Sequence, residues 1–392
     1  MQNFVFHQPT KILFGRETIS SIGSESIVFG TRALLVYGSG SIRENGIYDR
    51  VMASLTEAGL EVIEYPGVRS NPVLSHVREG IRVAKEHRIE VVIAVGGGSV
   101  IDSAKAIAAG ALVNHDVWLF FKGKKSVAGK LPLTCVLTLA AAGSEMNGGM
   151  VLTNDDLRQK FGTGNQHLKP QVSILDPEAT FSVPLDYSVY GAVDAIAHIL
   201  EFYFTTGDPT TPVQDRLMEG LVLNIMEACE RILVDPKDYN ARADLMWCAT
   251  LALNGLTGAG LGPVGFPMHM IEHSLSALFD VPHGAGLSVV IPAWMTWRNE
   301  QNPLKFAQFA RRVFGVLESD DRLAANQGIH SLKSWFKKVK SPVFLEDLDI
   351  APSAIDDLAA NAMDLARLWR LREYDQGIIS RILQGCRRSG LR

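Results

Sequence analysis

Apolar residues in the first half of the chain gather into short runs, separated by turn residues and by helical patterns. Arg32–Tyr37 (RALLVY) predicts a strand, closed by Gly38-Ser39-Gly40. Ile47–Ala58 predicts a helix, Glu61–Tyr65 a strand and Val73–His87 a second helix. Glu90–Val95 (EVVIAV) predicts a buried strand, and Gly96-Gly97-Gly98 leads into a helix over about Val100–Ala109. Pro132–Leu139 (PLTCVLTL) predicts another strand, and Phe4–Phe6 and Lys11–Phe14 read as two short strands before any helix. Strand, glycine turn, helix, strand is the order of a parallel sheet covered by helices.

The pattern changes near Leu175-Asp176-Pro177 and is helical almost throughout beyond Pro184. Phe306, Phe309, Ala310, Val313, Phe314 and Leu317 recur at helical spacing, as do Leu217, Leu221, Ile225, Cys229 and Ile232. The expected division is an α/β domain over 1–180 and an all-helical domain over 181–392. Leu245–Ile271 carries no charged residue and is long enough to span a membrane. It also holds five glycines between Gly255 and Gly265, with Pro263 and Pro267, and such a density breaks a helix after about Leu256. A buried helix followed by a glycine-rich loop is expected.

Composition narrows the function classes. The 392 residues are 47% hydrophobic and 20% charged, which excludes bulk disorder. A net charge of −4 is a poor match to nucleic acid. The basic clusters Lys122–Lys125 and Trp335–Lys340 are short and read as solvated surface. Cys135, Cys229, Cys248 and Cys386 are scattered without a CxxC pair, which suits a reducing compartment. The opening MQNFVFHQPTK has no signal-peptide pattern. A cytoplasmic protein is expected, with no membrane partner.

Two features carry chemistry. Gly96-Gly97-Gly98-Ser99 joins a strand to a helix, where backbone N–H groups and the helix N-terminus suit phosphate. It is neither GxGxxG nor a Walker loop, and alone it is equally a tight turn. Gly38-Ser39-Gly40-Ser41 ends an earlier strand of the same sheet, and ligands of open parallel sheets bind at that edge. Asp194 and His198 are i and i+4, as are His269 and His273, and His283 follows in VPHG. Imidazole and carboxylate suit Zn²⁺ or Fe²⁺. Each pair alone is an ordinary helical pairing, and spacing leaves open which of the later three histidines would bind.

In order along the chain, FVFHQPTKILFG, GSGSIRENGIYD, AVGGGSVIDSAK, VLTLAAAGSEMN, VDAIAH, MWCATLALNGL and HMIEH…VPHG occur together. In these the sequence resembles the iron-containing (group III) alcohol dehydrogenases, most closely their butanol dehydrogenase and aldehyde reductase branch. The resemblance implies a Rossmann-like dinucleotide-binding domain, then an all-α metal-binding domain, in the dehydroquinate synthase-like architecture. It implies one divalent metal, Fe²⁺ or Zn²⁺, on Asp194, His198, His269 and His283, with His273 near the nicotinamide and substrate but off the metal. It implies cofactor contacts at Gly38, Ser39, Gly40, Ser41, Gly97, Gly98, Ser99, Asp102, Thr138, Leu139, Ser144 and Lys160. It also implies a homodimer paired through the N-terminal segment. Two stretches depart from the family's pattern. Leu139-Ala140-Ala141-Ala142-Gly143-Ser144 lacks the usual proline and threonine, and Gly262–Pro267 is unusual before the metal histidine.

The expected reaction is hydride transfer between a primary alcohol or aldehyde, such as butanol or butanal, and a nicotinamide cofactor. His273 would relay a proton to the substrate oxygen, since imidazole titrates near neutral pH. NADP(H) is expected over NAD(H), by about tenfold or more. No acid stands in Gly38–Ser41, Arg43 could neutralise a 2′-phosphate, and the nearest acids in sequence, Glu44 and Asp49, lie beyond the loop. Two alternatives are a metal-dependent lyase of the dehydroquinate synthase type and a non-catalytic nucleotide-binding protein. The first would need a basic pocket, whereas Phe266, Met268, Met270 and Ile271 are apolar. The second would not need four ligand-type residues.

Overall fold

The structure, a computed structural model, describes residues 1–207 and 210–388. Positions 208–209 and 389–392, which the second expected domain includes, lie outside the described residues. The chain divides into two compact units. One comprises His7–Pro184 with Pro236–Thr250, and the other Met1–Phe6, Leu185–Asp235 and the chain from Leu251 onward.

The first unit is built on a six-stranded sheet: β1 (Lys11–Phe14), β2 (Arg32–Gly38), β3 (Glu61–Val68), β4 (Val91–Gly96), β5 (Leu133–Leu137) and β8 (Val172–Leu175). Their spatial order is β1-β8-β5-β4-β2-β3, and every pairing is parallel. The central strands β4 and β5 are buried at every position, which is why their sequences run apolar without alternation. On one face Leu35, Ile93 and Val136 pack with Val51 and Leu55 of helix Ile47–Glu57. Helix Gly98–Gly110 is buried along almost its whole length because it packs on the sheet with small residues. Among the elements not expected from the pattern are β8 and an antiparallel hairpin of β6 (Gly149–Asn154) and β7 (Gln159–Gly164). The hairpin turn is closed by the Asn154 side chain, which accepts from the Leu157 amide at 3.1 Å.

Residues 236–250 join this unit through definite contacts. Phe14 meets Trp247 edge-on with centroids 6.0 Å apart, and Arg16 lies 3.7 Å over the Tyr239 ring.

The second unit is helical. Helices Leu185–Thr205, Pro212–Val234, Pro267–Phe279, His283–Asn299, Pro303–Phe314 and Asp321–Lys338 form its body. Phe306, Phe309, Ala310 and Val313 are buried along one stripe. Leu317, expected on the same stripe, is almost fully exposed. The helix stops at Phe314, where Gly315 takes a φ of 66°, so the periodicity outruns the element.

Phe4–Phe6 does not form the expected strand. The segment instead lies on the glycine-rich loop, where the Gln2 amide donates to the Gly260 carbonyl at 2.9 Å. Gly260 and Gly262 make room for this segment: a Cβ on either would come within 2.5 Å of Met1 or Gln2 side-chain atoms. Both have positive φ, 76° and 74°.

Candidate metal and cofactor sites

Helix Leu185–Thr205 presents Asp194, His198 and Glu201 at i, i+4 and i+7 on one buried face. Helix Pro267–Phe279 presents His269, Glu272 and His273, also buried. His283 is the first residue of helix His283–Asn299 and is partly exposed. That helix comes close because residue 284 is glycine: a Cβ there would lie 2.1 Å from the Tyr190 carbonyl oxygen, one turn before Asp194.

These elements converge on Asp194. Its Oδ1 lies 3.6 Å from His269 Nε2, 3.6 Å from His283 Nε2 and 3.7 Å from His198 Nδ1. Asp194 Oδ1, His198 Nδ1 and His269 Nε2 are buried and make no hydrogen bond. Buried polar atoms are normally satisfied, so such a cluster implies a shared partner. Asp194, His198 and His269 bring ligand atoms within 4.8 Å of one another, a spacing that one ion can bridge at Zn–O and Zn–N lengths, and His283 Nε2 meets the same Asp194 oxygen. The donor set therefore fits a divalent cation.

Two further carboxylates, which sequence reading did not single out, stand behind the histidines. Glu201 Oε1 accepts from His269 Nδ1 at 3.1 Å and from the His269 backbone amide at 2.9 Å. Glu272 pairs with His283 Nδ1, and its other oxygen accepts from Ser276 Oγ at 2.5 Å. A proton held on Nδ1 leaves Nε2 as the free donor, so each carboxylate fixes a tautomer and a ring direction. The spacing did carry a signal: Glu201 lies seven residues after Asp194, on the same helical face.

Charge in the cluster suits a metal. Burial alone would raise Asp194, but His198, His269 and His283 outweigh it and hold the carboxyl far below its usual range. Burial pushes His198 down to about 3, so its ring is neutral at physiological pH. Burial would also lower His269, yet Asp194 and Glu201 raise it to about 9. Two carboxylates on either side of one imidazole thus favour positive charge at this point.

His273 neighbours this cluster. Its ring centroid is 5.5 Å from that of His283 and 5.7 Å from that of Trp369. Phe266, in the unusual Gly262–Pro267 stretch, packs edge-on against Phe202 and His269. Glu272, His273 and His283 form a second group with ligand atoms within 4.8 Å of one another. The Glu272–His283 pairing uses Nδ1, which leaves the His283 Nε2 for Asp194.

In the α/β unit, Gly38 ends β2 and Ser39, Gly40 and Ser41 follow it, with Gly40 at a φ of 152°. Gly97 caps helix Gly98–Gly110, and Ser99 Oγ bonds the Ser70 carbonyl. Cβ atoms on Gly97 and Gly98 would come 3.1 Å from Leu139 and 3.2 Å from Ala142, so this turn packs tightly on the next loop. The Thr138 amide donates to the Gly96 carbonyl at 3.1 Å. Asp102 accepts from Ser144 Oγ at 2.5 Å and from the Val151 amide at 2.9 Å. Lys105 reaches Ser144 Oγ, both oxygens of Asn147 and the Gly149 carbonyl at 2.7–3.2 Å. Asp102 and Lys105 thus brace the 139–149 loop. Lys160 is buried and bonds Asn71 Oδ1 at 3.0 Å.

Arg43 has a partner that sequence distance does not show. It ion-pairs with Glu64 of the adjacent strand β3. Glu64 is therefore the relevant acid in space, rather than Glu44 or Asp49, because parallel neighbours in the sheet are distant in sequence.

Residues 9–177 match the family described as iron-containing alcohol dehydrogenase, and residues 188–385 match the C-terminal part of the Fe-containing alcohol dehydrogenase family. The chain is 41% identical over 386 residues to probable NADH-dependent butanol dehydrogenase 1 of Bacillus subtilis, covering 98% of this chain and 99% of that protein. It is 35% identical over 361 residues to the NADPH-dependent aldehyde reductase YqhD of Escherichia coli, covering 91% and 92%. The crystal structure of NADH-dependent butanol dehydrogenase A from Thermotoga maritima superposes with a TM-score of 0.96 at 45% identity, covering 99% of each chain.

Proposed function

The chain belongs to the iron-containing alcohol dehydrogenase family and is a metal-dependent alcohol dehydrogenase or aldehyde reductase; from that premise we propose which residues carry the reaction and which cofactor it takes. Asp194, His198, His269 and His283 hold one divalent metal, Fe²⁺ or Zn²⁺. The observation that carries this assignment is the convergence of three imidazole nitrogens on Asp194 Oδ1 at 3.6–3.7 Å in a buried setting. When bound, the metal supplies Lewis-acid polarisation of the substrate oxygen, and the nicotinamide supplies or accepts the hydride.

The protein's own groups do the rest. Glu201 and Glu272 orient His269 and His283. The His273 ring carries a proton to or from the substrate oxygen, supported by its place one ring away from His283. Phe266 and Trp369 offer apolar surface beside these rings, which suits a short alkyl chain such as that of butanol or butanal. The cofactor residues are Gly38–Ser41, Gly97–Ser99, Thr138, Leu139, Ser144 and Lys160, with Asp102 acting through Ser144.

NADP(H) is the proposed preference, supported by the acid-free loop Gly38–Ser41 and its serine donors. The names of the relatives divide between NADH and NADPH. A homodimer is supported by β1, an edge strand whose only neighbour among the described residues is β8, and by the exposed Phe4, Val5 and Phe6. Cytoplasmic residence is supported by four buried cysteines, none of them in a disulfide among the described residues. No helix among the described residues is long and apolar enough to cross a membrane.

The test is a metal-analysed preparation assayed with both cofactors against a panel of aldehydes and alcohols. Turnover proportional to metal content, with greater kcat/KM for NADPH, is expected. Full activity in metal-stripped protein, or equal use of NADH, overturns the corresponding part.

A further inference from the structure

Near the carboxyl end of β2, beside the middle of β3, four side chains form one cluster. Tyr37 is the next-to-last residue of β2, Arg43 follows in the short helix Ser41–Glu44, Tyr48 lies in helix Ile47–Glu57 and Glu64 belongs to β3. Glu64 Oε2 accepts from the Tyr37 hydroxyl at 2.5 Å, and Oε1 from the Tyr48 hydroxyl at 2.8 Å. Arg43 Nη2 donates to Glu64 Oε2 and, at 2.7 Å, to the Tyr37 oxygen. The guanidinium lies 3.8 Å from the Tyr48 ring centroid. The Tyr37 hydroxyl is the main influence holding Glu64 below the ordinary carboxylate range, so it is ionised at neutral pH.

The position of this cluster gives it a bearing on the cofactor. β2 lies next to β4, whose end opens the phosphate-type turn Gly96–Gly98. In an open parallel sheet, the strand end beside the phosphate turn reads the 2′ position of the adenosine ribose. Arg43 sits two residues beyond Ser41 in that loop. Its side chain is about half exposed, and only Nη2 is engaged. Its other N–H groups form an open edge of a fork suited to phosphate. Glu64, by contrast, is tethered by two phenols on different elements and is the fixed partner.

We propose that Glu64 sets the NADPH/NADH preference by competing with the cofactor's 2′-phosphate for Arg43. This rests on the placement of the adenosine ribose at the Gly38–Ser41 loop given under Proposed function. With Glu64 present, the pair is neutral, and a dianionic phosphate gains Arg43 only by sharing it. Without the carboxylate, the guanidinium is an unshared cation and the preference for a 2′-phosphate rises.

The test uses 2′,5′-ADP and 5′-AMP, which differ only in that phosphate and require no turnover. Each is titrated calorimetrically into metal-loaded wild type, Glu64→Gln, Arg43→Ala and the double variant at one ionic strength. Glu64→Gln is expected to raise the 2′,5′-ADP to 5′-AMP affinity ratio by at least roughly threefold, the scale of one exposed ion pair. The gain should vanish in the Arg43→Ala background. No rise, or an equal rise without Arg43, overturns the competition. Should Glu64→Gln not fold, Glu64→Asp retracts the carboxylate from Arg43 and must move the ratio the same way. A wild type that binds the two nucleotides equally sinks the NADP(H) preference but not the competition, because Glu64→Gln then still raises the ratio. Nucleotides that NADPH and NADH fail to displace lie elsewhere, which overturns both.

Discussion

Gly286→Ala is a one-carbon change with opposed consequences. Residue 286 lies in the first turn of helix His283–Asn299 and is buried. An alanine Cβ there would sit 2.6 Å from Glu272 Oε1, 2.8 Å from Cγ and 3.2 Å from Cδ. Glu272 is fully buried and braces His283, so its carboxylate must retreat by most of an ångström. Helix propensity favours alanine by about 0.5–1 kcal/mol. Overpacking costs about 1–3 kcal/mol. The net loss of stability should therefore be small, about 1 kcal/mol. The effect on metal should be larger, because losing the partner of a ligating histidine weakens metal binding by about 10–100-fold, or roughly 1.4–2.7 kcal/mol. Competition against a chromophoric chelator measures the affinity, and denaturant unfolding of the metal-free protein measures stability. Because both changes act through one carboxylate, Gly286→Ala should cost little further affinity in a Glu272→Ala background. A Gly286→Ala protein that binds metal within twofold of wild type refutes the reasoning, whatever its stability.

Three other outcomes are expected. His283→Ala should lose metal and activity together, whereas His273→Ala should keep its metal while kcat falls; metal loss in the second variant would assign His273 to the ligand set. Glu201→Gln removes the charge behind His269 and should weaken metal binding about tenfold, measured by the same competition, and unchanged affinity would deny Glu201 its orienting role. Burial lowers Lys105 to about 8, below its ordinary 10.5. Between those pH values the unfolded chain binds the extra proton, so this group makes the folded state more stable as pH rises, by on the order of 3 kcal/mol in full. Wild type should accordingly gain on Lys105→Met in urea unfolding between pH 8 and 10, and a flat difference would show that Lys105 keeps its proton throughout.

Much of the architecture is legible along the chain because apolar periodicity is local. The runs RALLVY and EVVIAV became β2 and β4, and the stripe from Phe306 to Val313 became a buried helix face. Periodicity could not say where such a stripe stops, and Leu317 lies beyond a helix ended by Gly315. Nor could it direct Phe4–Phe6, which follows the Gln2 amide onto the glycine-rich loop through the Gly260 carbonyl. The candidate site divides the same way. Helical spacing puts Asp194 with His198, and His269 with His273, on common faces. It treats His269 and His273 alike, and only packing distinguishes them, by setting Glu201 and Asp194 on either side of the His269 ring. Glu64 shows the limit most plainly. It stands 21 residues from Arg43 in sequence, yet ion-pairs with it because β2 and β3 are parallel neighbours. Strand adjacency in a parallel sheet is fixed by how whole layers bury their apolar faces, and no local pattern around Arg43 encodes which acid that brings to its side.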